Sequence, residues 1–469
     1  MKHNQSKTEL FKSVSVPKAL MTMAVPTIIS QLVNLIYNMV DAFFIGRTGN
    51  SYMMAATTVT LTLFLMNIAL SGLFGVGGGS LMARLSGMGN YDEARRVSAF
   101  SVYGAIAIAL IYSALIGLFL DPILRFLGAS EATMDYARSY GFIVVVLGSL
   151  PCVLMMTLGH LLRNAGYSTQ ASIGMSGGGI LNVVLDPLFM FVLLKPGNEV
   201  TGAAIATTLS NVAACVYLLF AYQRASKEAP LSLRFGDARQ TGKGSIKAVF
   251  AVGVPSAVLS GLFDLANIVL NILASAHNDL VLAGMGIVMK LERLPNAVNI
   301  GICQGMLPIV AFNYASGDHK RMRDTIKTAR IWGLLVSAVC IAIFELFAAP
   351  ASRLFLSTNT SDAETALRTI AYAALFLRIR CVASPVQFLN YHTSFCMQAI
   401  GDGRRTLLHA FARELLFYIP AMFLLDRLFA EVGLASALVL GEGLGALLAI
   451  FLLRRALQQR QGQEVRRVA

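Results

Sequence analysis

Apolar runs of about 20 residues, the length a helix needs to cross the hydrocarbon core of a bilayer, recur from Ala19 to Leu453 with only short polar interruptions. They predict twelve membrane-spanning helices, at approximately 18–44, 53–82, 97–120, 135–158, 170–194, 202–222, 248–275, 281–311, 329–349, 366–390, 407–425 and 433–453. No polar stretch is long enough for a separate soluble domain. The predicted fold class is therefore an all-α membrane protein. The longest interruption, roughly Gln223 to Lys247, is rich in Arg, Lys, Gly and Ser and leaves six spans on either side. The expected organisation is an N-terminal six-helix lobe over 1–223, a cytoplasmic linker over 224–247 and a C-terminal six-helix lobe over 248–469.

The halves repeat one another. Val25-Pro26-Thr27, leading into Ser30-Gln31-Leu32-Val33-Asn34-Leu35, returns as Val254-Pro255-Ser256, leading into Ser260-Gly261-Leu262-Phe263-Asp264-Leu265. Gly87-Met88-Gly89-Asn90-Tyr91 before the third span is echoed by Ala315-Ser316-Gly317-Asp318-His319 before the ninth, and Leu162-Arg163-Asn164-Ala165-Gly166 by Met397-Gln398-Ala399-Ile400-Gly401. Each half has an even number of spans, so both enter the membrane from the same side and the repeat is parallel, with its axis along the membrane normal. Duplicated bundles of this kind are a signature of transporters that rock one repeat against the other. Pro26 and Pro255, matched breaks in the first span of each half, are where such a bundle is expected to flex.

Basic residues sort into alternate loops. They cluster at Arg84, Arg95 and Arg96; from Arg224 to Lys247; at Lys320, Arg321, Arg323 and Lys327; at Arg404 and Arg405; and from Arg454 to Arg467. The loops around Gly49, Ala129, Gly197, Asn278, Ser357 and Phe429 are basic-poor. Retention of Lys and Arg on the cytoplasmic side predicts a multi-pass protein of the cytoplasmic (inner) membrane with both termini cytoplasmic. Residues 1–17 carry Lys2, Lys7 and Lys12 but no apolar core or small-residue cleavage site, so no cleaved signal peptide is expected. Composition agrees, with 56% hydrophobic and 13% charged residues. The formal charge of +13 would otherwise suggest a nucleic-acid partner, but its distribution explains it as topology and no nucleic acid is expected. Six scattered cysteines form no CxxC, and the histidines form no pair on one helical turn, so no catalytic, metal or cofactor site is expected and the chain does not read as an enzyme. The glycine runs Gly72 to Gly79 and Gly177 to Gly179 lack the strand, helix and Lys-Ser/Thr context of a phosphate loop and read as packing or hinge positions.

Candidate chemistry lies in acids within apolar spans, because an ionised carboxylate in hydrocarbon is costly and such residues mark ion or substrate paths. Four draw attention. Asp41 ends a polar stripe of the first span formed by Asn34, Tyr37 and Asn38 at helical spacing. Asp186 has Asn182 one turn earlier and Pro187 beside it, with Thr207 on the following span placed to add a hydroxyl. Asp264 shares a face of the seventh span with Asn267 and Asn271 and aligns with Asn34 in the repeat. Glu292 sits in the eighth span between Lys290 and Arg293, where it serves either a structural salt bridge or a cavity; Arg378 and Arg380 carry the same ambiguity. A sheltered carboxylate can take a proton from one side and give it to the other, and with Asn and Thr oxygens it can instead hold Na⁺; spacing alone does not choose. Twenty methionines, Met155, Met156 and Met175 among them, suit a pliable apolar cavity.

Val25-Pro26, Tyr37-Asn38-x-Val40-Asp41 with Gly46, Arg163-x-Ala165-Gly166, Asn182-Val183-Val184-Leu185-Asp186-Pro187 and Gly202-Ala203-Ala204-Ile205-Ala206-Thr207 together resemble the multidrug and toxic compound extrusion (MATE) family over essentially the whole chain. Asn313-Tyr314 and the segment Arg413 to Pro420 resemble its branch of MepA-type exporters. The resemblance implies a V-shaped, two-lobed, twelve-helix antiporter, expected as a monomer, that exports bulky cationic or amphipathic drugs or toxic organic cations in exchange for H⁺ or Na⁺. It implies a cation site at Asp41, Asn182, Asp186 and Thr207 and a hinge at Pro26 that bends on protonation. A substrate cavity is expected at Asn34, Tyr37, Asn38, Met155, Met175, Asp264, Asn267 and Glu292, the last by similarity to the MepA-type branch. In the NorM-like branch an acid matching Asp264 has an acidic partner, but that position falls near Ser384-Pro385-Val386, where this chain has none. The alternative reading, a lipid-linked oligosaccharide flippase, calls for further spans or a strongly cationic cavity for pyrophosphate, against which the four acids argue.

Overall fold

The computed structural model describes residues 9–354 and 363–468, with side chains over 9–354 and 364–458. Lys2, Lys7, the loop around Ser357 and the side chains of Arg460, Arg466 and Arg467 lie outside the described residues. Among the described residues all regular structure is helical. Long apolar runs suit this in lipid, since a helix satisfies its own backbone hydrogen bonds where no water can.

The spans are α1 (Val16–Arg47), α2 (Ser51–Gly87), α3 (Tyr91–Leu118), the bent pair α4 (Glu131–Leu147 with Ser149–Asn164), α5 (Ser168–Leu193), α6 (Glu199–Ala225), α7 (Lys243–His277), α8 (Asp279–Ala315), α9 (His319–Arg353) and the bent pair α10 (Glu364–Cys381 with Ser384–Ala399). A final helical run, Gly403–Gln458, has 56 residues, about 84 Å at 1.5 Å per residue and nearly three bilayer cores long. It breaks at Phe429 (φ −135°) and Ala430 (φ 50°), so residues 403–428 are α11 and residues 431–458 are α12. With each bent pair counted once and the last run divided at its break, the described residues form twelve apolar helices long enough to cross a membrane, as the apolar runs predict. The bends, 46° in α4 and 51° in α10, are a structural addition to those runs. Each lies just before a proline, Pro151 or Pro385, whose ring crowds the carbonyl four residues back, that of Leu147 or Cys381. Widened π-helical turns occur at Phe142–Leu147, Leu188–Leu193 and Ala412–Tyr418. Pro151 and Pro420 follow the first and third within a turn, and a proline ring displaces the carbonyl four residues back.

The chain packs as two compact units. The first comprises Met1–Ala257, Gly305–Met322 and Ala399–Gly401. Its core gathers Phe74, Met82, Val97, Val153, Leu158, Leu218 and Tyr222. Bilayer helices gain little from apolar burial and associate through close contact of small residues. Gly75 shows the effect, because a Cβ there would lie 2.9 Å from the His160 ring. The segment 224–247, expected as a linker, is tied down on α3: the Tyr103 hydroxyl donates to the Leu233 carbonyl at 2.8 Å and Ser245 donates to Glu93 at 2.6 Å. The same unit holds the start of the described chain, where Arg321 donates to the Phe11 carbonyl (2.6 Å) and Phe11 stacks on Phe312.

The second unit comprises Val258–Gln304, Arg323–Gln398 and Asp402–Ala469. Leu270, Met285, Val288, Phe344, Phe376, Leu377, Met422 and Leu434 form its core. At one end His277, closing α7, contacts Asp426 of α11 at 2.6 Å.

Candidate cation and substrate site

Within the first unit, α1, α5 and α6 bring together the four residues expected to hold a cation. Gly179, Asn182 and Asp186 fall at i, i+3 and i+7 on α5 and so share a face. The missing side chain at Gly179 admits the Tyr37 ring of α1, which a Cβ would meet at 2.8 Å. Asn182 Nδ2 donates to Asp186 Oδ1 at 3.0 Å and to Thr207 Oγ1 of α6 at 3.3 Å. Asp186 is fully buried and Asn182 nearly so. Half-buried Asp41 of α1 lies close enough to Asp186 for the carboxyls to interact.

Three oxygens here, Asp41 Oδ1, Asn182 Oδ1 and Asp186 Oδ2, are buried and accept no hydrogen bond among the described residues. No Arg or Lys pairs with either acid among those residues. A buried acceptor costs about 1–3 kcal/mol when left unpaired, and more when charged. The cluster is therefore rich in acceptors with no basic side chain paired to it among the described residues, a composition able to take up a proton or a small hard cation.

Asn34 and Asn38 lie on successive turns of the α1 stripe, Asn38 Nδ2 donating to the Asn34 carbonyl at 2.6 Å. Pro26 lies in an unbroken helix. One turn of backbone beside it is held from α5, where Ser168 donates to the Met23 carbonyl (2.7 Å) and meets the Thr27 hydroxyl (3.0 Å). Met175 is buried in the first unit's core against Gly159, with Arg163 Nη2 3.6 Å from its sulfur, and Met155 packs at the margin of that core.

The remaining expected residues belong to the second unit. Glu292 of α8 forms a bidentate pair with Arg380 of α10, both bonds 2.8 Å, and Arg380 reaches the Tyr418 hydroxyl at 3.4 Å. Arg380 thus has a carboxylate partner, whereas Arg378 is half exposed and 3.9 Å from Glu345. Half-buried Asp264 of α7 feels the charge of Arg293 on α8, and Asn267 lies one turn along from it.

Two features escape the sequence reading. Tyr140 of α4 is buried and lies in the field of Asp41, Asp186 and Tyr37; a lone phenol in an apolar span carries no signal of this. Glu414 of α11 and Glu442 of α12 are deeply buried acids beside Arg413. They satisfy the criterion that selected Asp186, an acid inside an apolar run.

The family model described as MatE matches this chain twice, over residues 26–188 and 255–424. The two matches begin at Pro26 and Pro255, the prolines of the repeated Val-Pro pair. Among relatives, the multidrug export protein MepA of Staphylococcus haemolyticus (strain JCSC1435) is 29% identical over 442 residues, covering 94% of each chain. The protein of that name from Staphylococcus aureus (strain MRSA252) is 29% identical over 448 residues, covering 95% of each. A solved structure described as the outward-facing conformation of a multidrug resistance MATE family transporter superposes with a TM-score of 0.90 at 21% identity, covering 97% of this chain and 99% of the other. A MATE structure in complex with MaL6 gives the same values.

Proposed function

This chain belongs to the MatE family of multi-pass membrane transporters, and from that premise we propose that it is a cation-coupled multidrug efflux antiporter of the cytoplasmic membrane, working as a monomer with both termini in the cytoplasm. The observation that carries the reading is the set of unpaired acceptor oxygens on Asp41, Asn182 and Asp186. H⁺ or Na⁺ arriving from outside is taken up by the two carboxyls, each ion cancelling one negative charge, with Asn182 holding Asp186 Oδ1 and Thr207 holding Asn182. The occupied and empty sites favour different conformations of α1, and only that differential lets an ion gradient drive transport. Pro26 supplies the weak point, since it lacks the donor that the Thr22 carbonyl would receive.

The exported compounds are bulky organic cations or amphipathic drugs, in keeping with the multidrug export proteins to which the chain is similar. Asn34, Tyr37 and Asn38 offer them hydrogen bonds along α1; in the second unit, taken by itself, Asp264 and Asn267 give α7 a half-buried polar face, while Met175 is committed to core packing and Glu292 to Arg380. Ethidium transport in inverted vesicles, driven in turn by an imposed pH gradient and an imposed Na⁺ gradient, tests the reading. Wild type is expected to respond to at least one gradient, and Asp41→Asn and Asp186→Asn to lose that response. Wild-type rates in both variants would remove this site from coupling.

A further inference from the structure

The second unit contains a buried polar cluster on α10, α11 and α12 that takes no part in the function assigned to Asp41 and Asp186. Arg413 donates to Glu442 through Nε (2.9 Å) and Nη2 (2.5 Å) and lies 4.9 Å from the Tyr391 ring centroid. Asn390 Nδ2 donates to the Glu442 carboxylate (2.6 Å) and main-chain carbonyl (2.9 Å). Both amide hydrogens are then committed, so Asn390 Oδ1 accepts from His409 Nε2 at 3.0 Å; His409 Nδ1 faces the Ser394 hydroxyl at 3.0 Å. A neutral imidazole satisfies all of these bonds.

Glu414 is the member left over. It is 1% exposed, its Oε1 is 3.5 Å from Arg413 Nε, and that oxygen accepts no hydrogen bond among the described residues. Of the charged and titratable groups around it, Tyr391, Tyr418 and His409 need carry no charge, and Arg380 is matched by Glu292. One guanidinium therefore faces two carboxylates in a dry interior, and a net buried charge is not tolerated there without a compensating ion. Glu442 has both oxygens bonded, so the open position is on Glu414. The widened helical turn Ala412–Tyr418 carries both Arg413 and Glu414, and such turns recur at functional sites.

We propose that Glu414, Arg413 and Glu442 form a second proton-binding site, in which Glu414 takes one proton from water and returns it to water. With the proton bound the three side chains sum to zero charge; without it they carry one negative charge.

The test is infrared difference spectroscopy of the full-length protein in proteoliposomes, cycled between about pH 5 and pH 9, following the C=O stretch of protonated carboxyl groups. It is done in an Asp41→Asn/Asp186→Asn background, so the outcome is independent of the first site. A titrating band is expected to remain there, and Glu414→Gln is expected to remove one carboxyl's worth of it. Glu442→Gln leaves one arginine against one carboxylate and is expected to do the same, which keeps the test open should Glu414→Gln not fold. No titrating band in the background, or a band unchanged by these substitutions, overturns the proposal.

Discussion

The fifth and sixth helices of each half carry a buried polar cluster, but the two are built on opposite plans. In the first half Asn182 and Asp186 of α5 meet Thr207 of α6, with Asp41 nearby and no arginine or lysine among the described residues paired to either acid. In the second half Arg413 and Glu414 of α11 meet Glu442 of α12, and the guanidinium holds one carboxylate in a bidentate pair. Where the protein supplies its own cation, the cluster is a fixed structural tie with one acid to spare. Where it withholds one, acceptor oxygens stay unpaired among the described residues. Duplication supplied the same pair of helices twice, and the presence of one arginine decides whether one carboxylate of the cluster is tied down within the protein.

Asp186→Asn should break this contrast most completely. It removes the charge but keeps shape and hydrogen bonding, so ion-driven drug transport is expected to fall to the undriven rate, as read by ethidium fluorescence in proteoliposomes. Stability should hold or rise, because an uncompensated buried carboxylate is lost. The opposite signature belongs to Arg413→Met. Removing one partner of a buried pair costs about 3–5 kcal/mol, so the loss should appear in a denaturant titration in detergent. Glu442→Gln placed on top of it should recover part of that loss. If Asp186→Asn destabilises as strongly as Arg413→Met, both clusters are braces and the distinction fails. Asn182→Ala sharpens it at smaller scale. Hydrogen bonds to charged groups contribute about 1.5–3 kcal/mol, so apparent affinity for the coupling ion should weaken roughly ten- to hundredfold, while Thr207→Val, which leaves Asp186 its donor, should cost less.

The twelve spans and the first cluster are legible in the sequence because each depends on local pattern. Apolar length marks a helix, and an Asn and an Asp one turn apart in such a run mark a polar face. What is not legible is which charge meets which. Lys290 and Arg293 flank Glu292, yet its partner is Arg380, 88 positions away. Arg413 stands next to Glu414, yet its guanidinium is spent on Glu442, 29 positions on. Adjacent helical residues point about 100° apart, so sequence neighbours are poor candidates for a direct pair. The long-range partner emerges only once α10, α11 and α12 are packed. Tyr140 is hidden for the same reason, since nothing local distinguishes it from other aromatic residues of an apolar span. The bends in α4 and α10 have a local cause in Pro151 and Pro385, but their angles depend on neighbours.

The smallest expected effect isolates burial from chemistry. Arg138 and Asp121 make the same bidentate contact as Arg413 and Glu442, at 2.8 and 2.7 Å, but both side chains are about half exposed. The Arg138 guanidinium holds the Asp121 carboxyl below its usual value. A carboxyl lowered in the folded state contributes stability above its ordinary value, about pH 4, and loses that contribution as pH falls below it. Water screens both charges and solvates whichever is left alone, so Arg138→Ala should not measurably shift the unfolding midpoint at neutral pH. Any difference that does appear should vanish on acidification. A loss from Arg138→Ala as large as that from Arg413→Met would mean that the bidentate geometry, and not burial, makes the α11–α12 pair strong. The role given to a resident arginine in the second cluster would then have to be withdrawn.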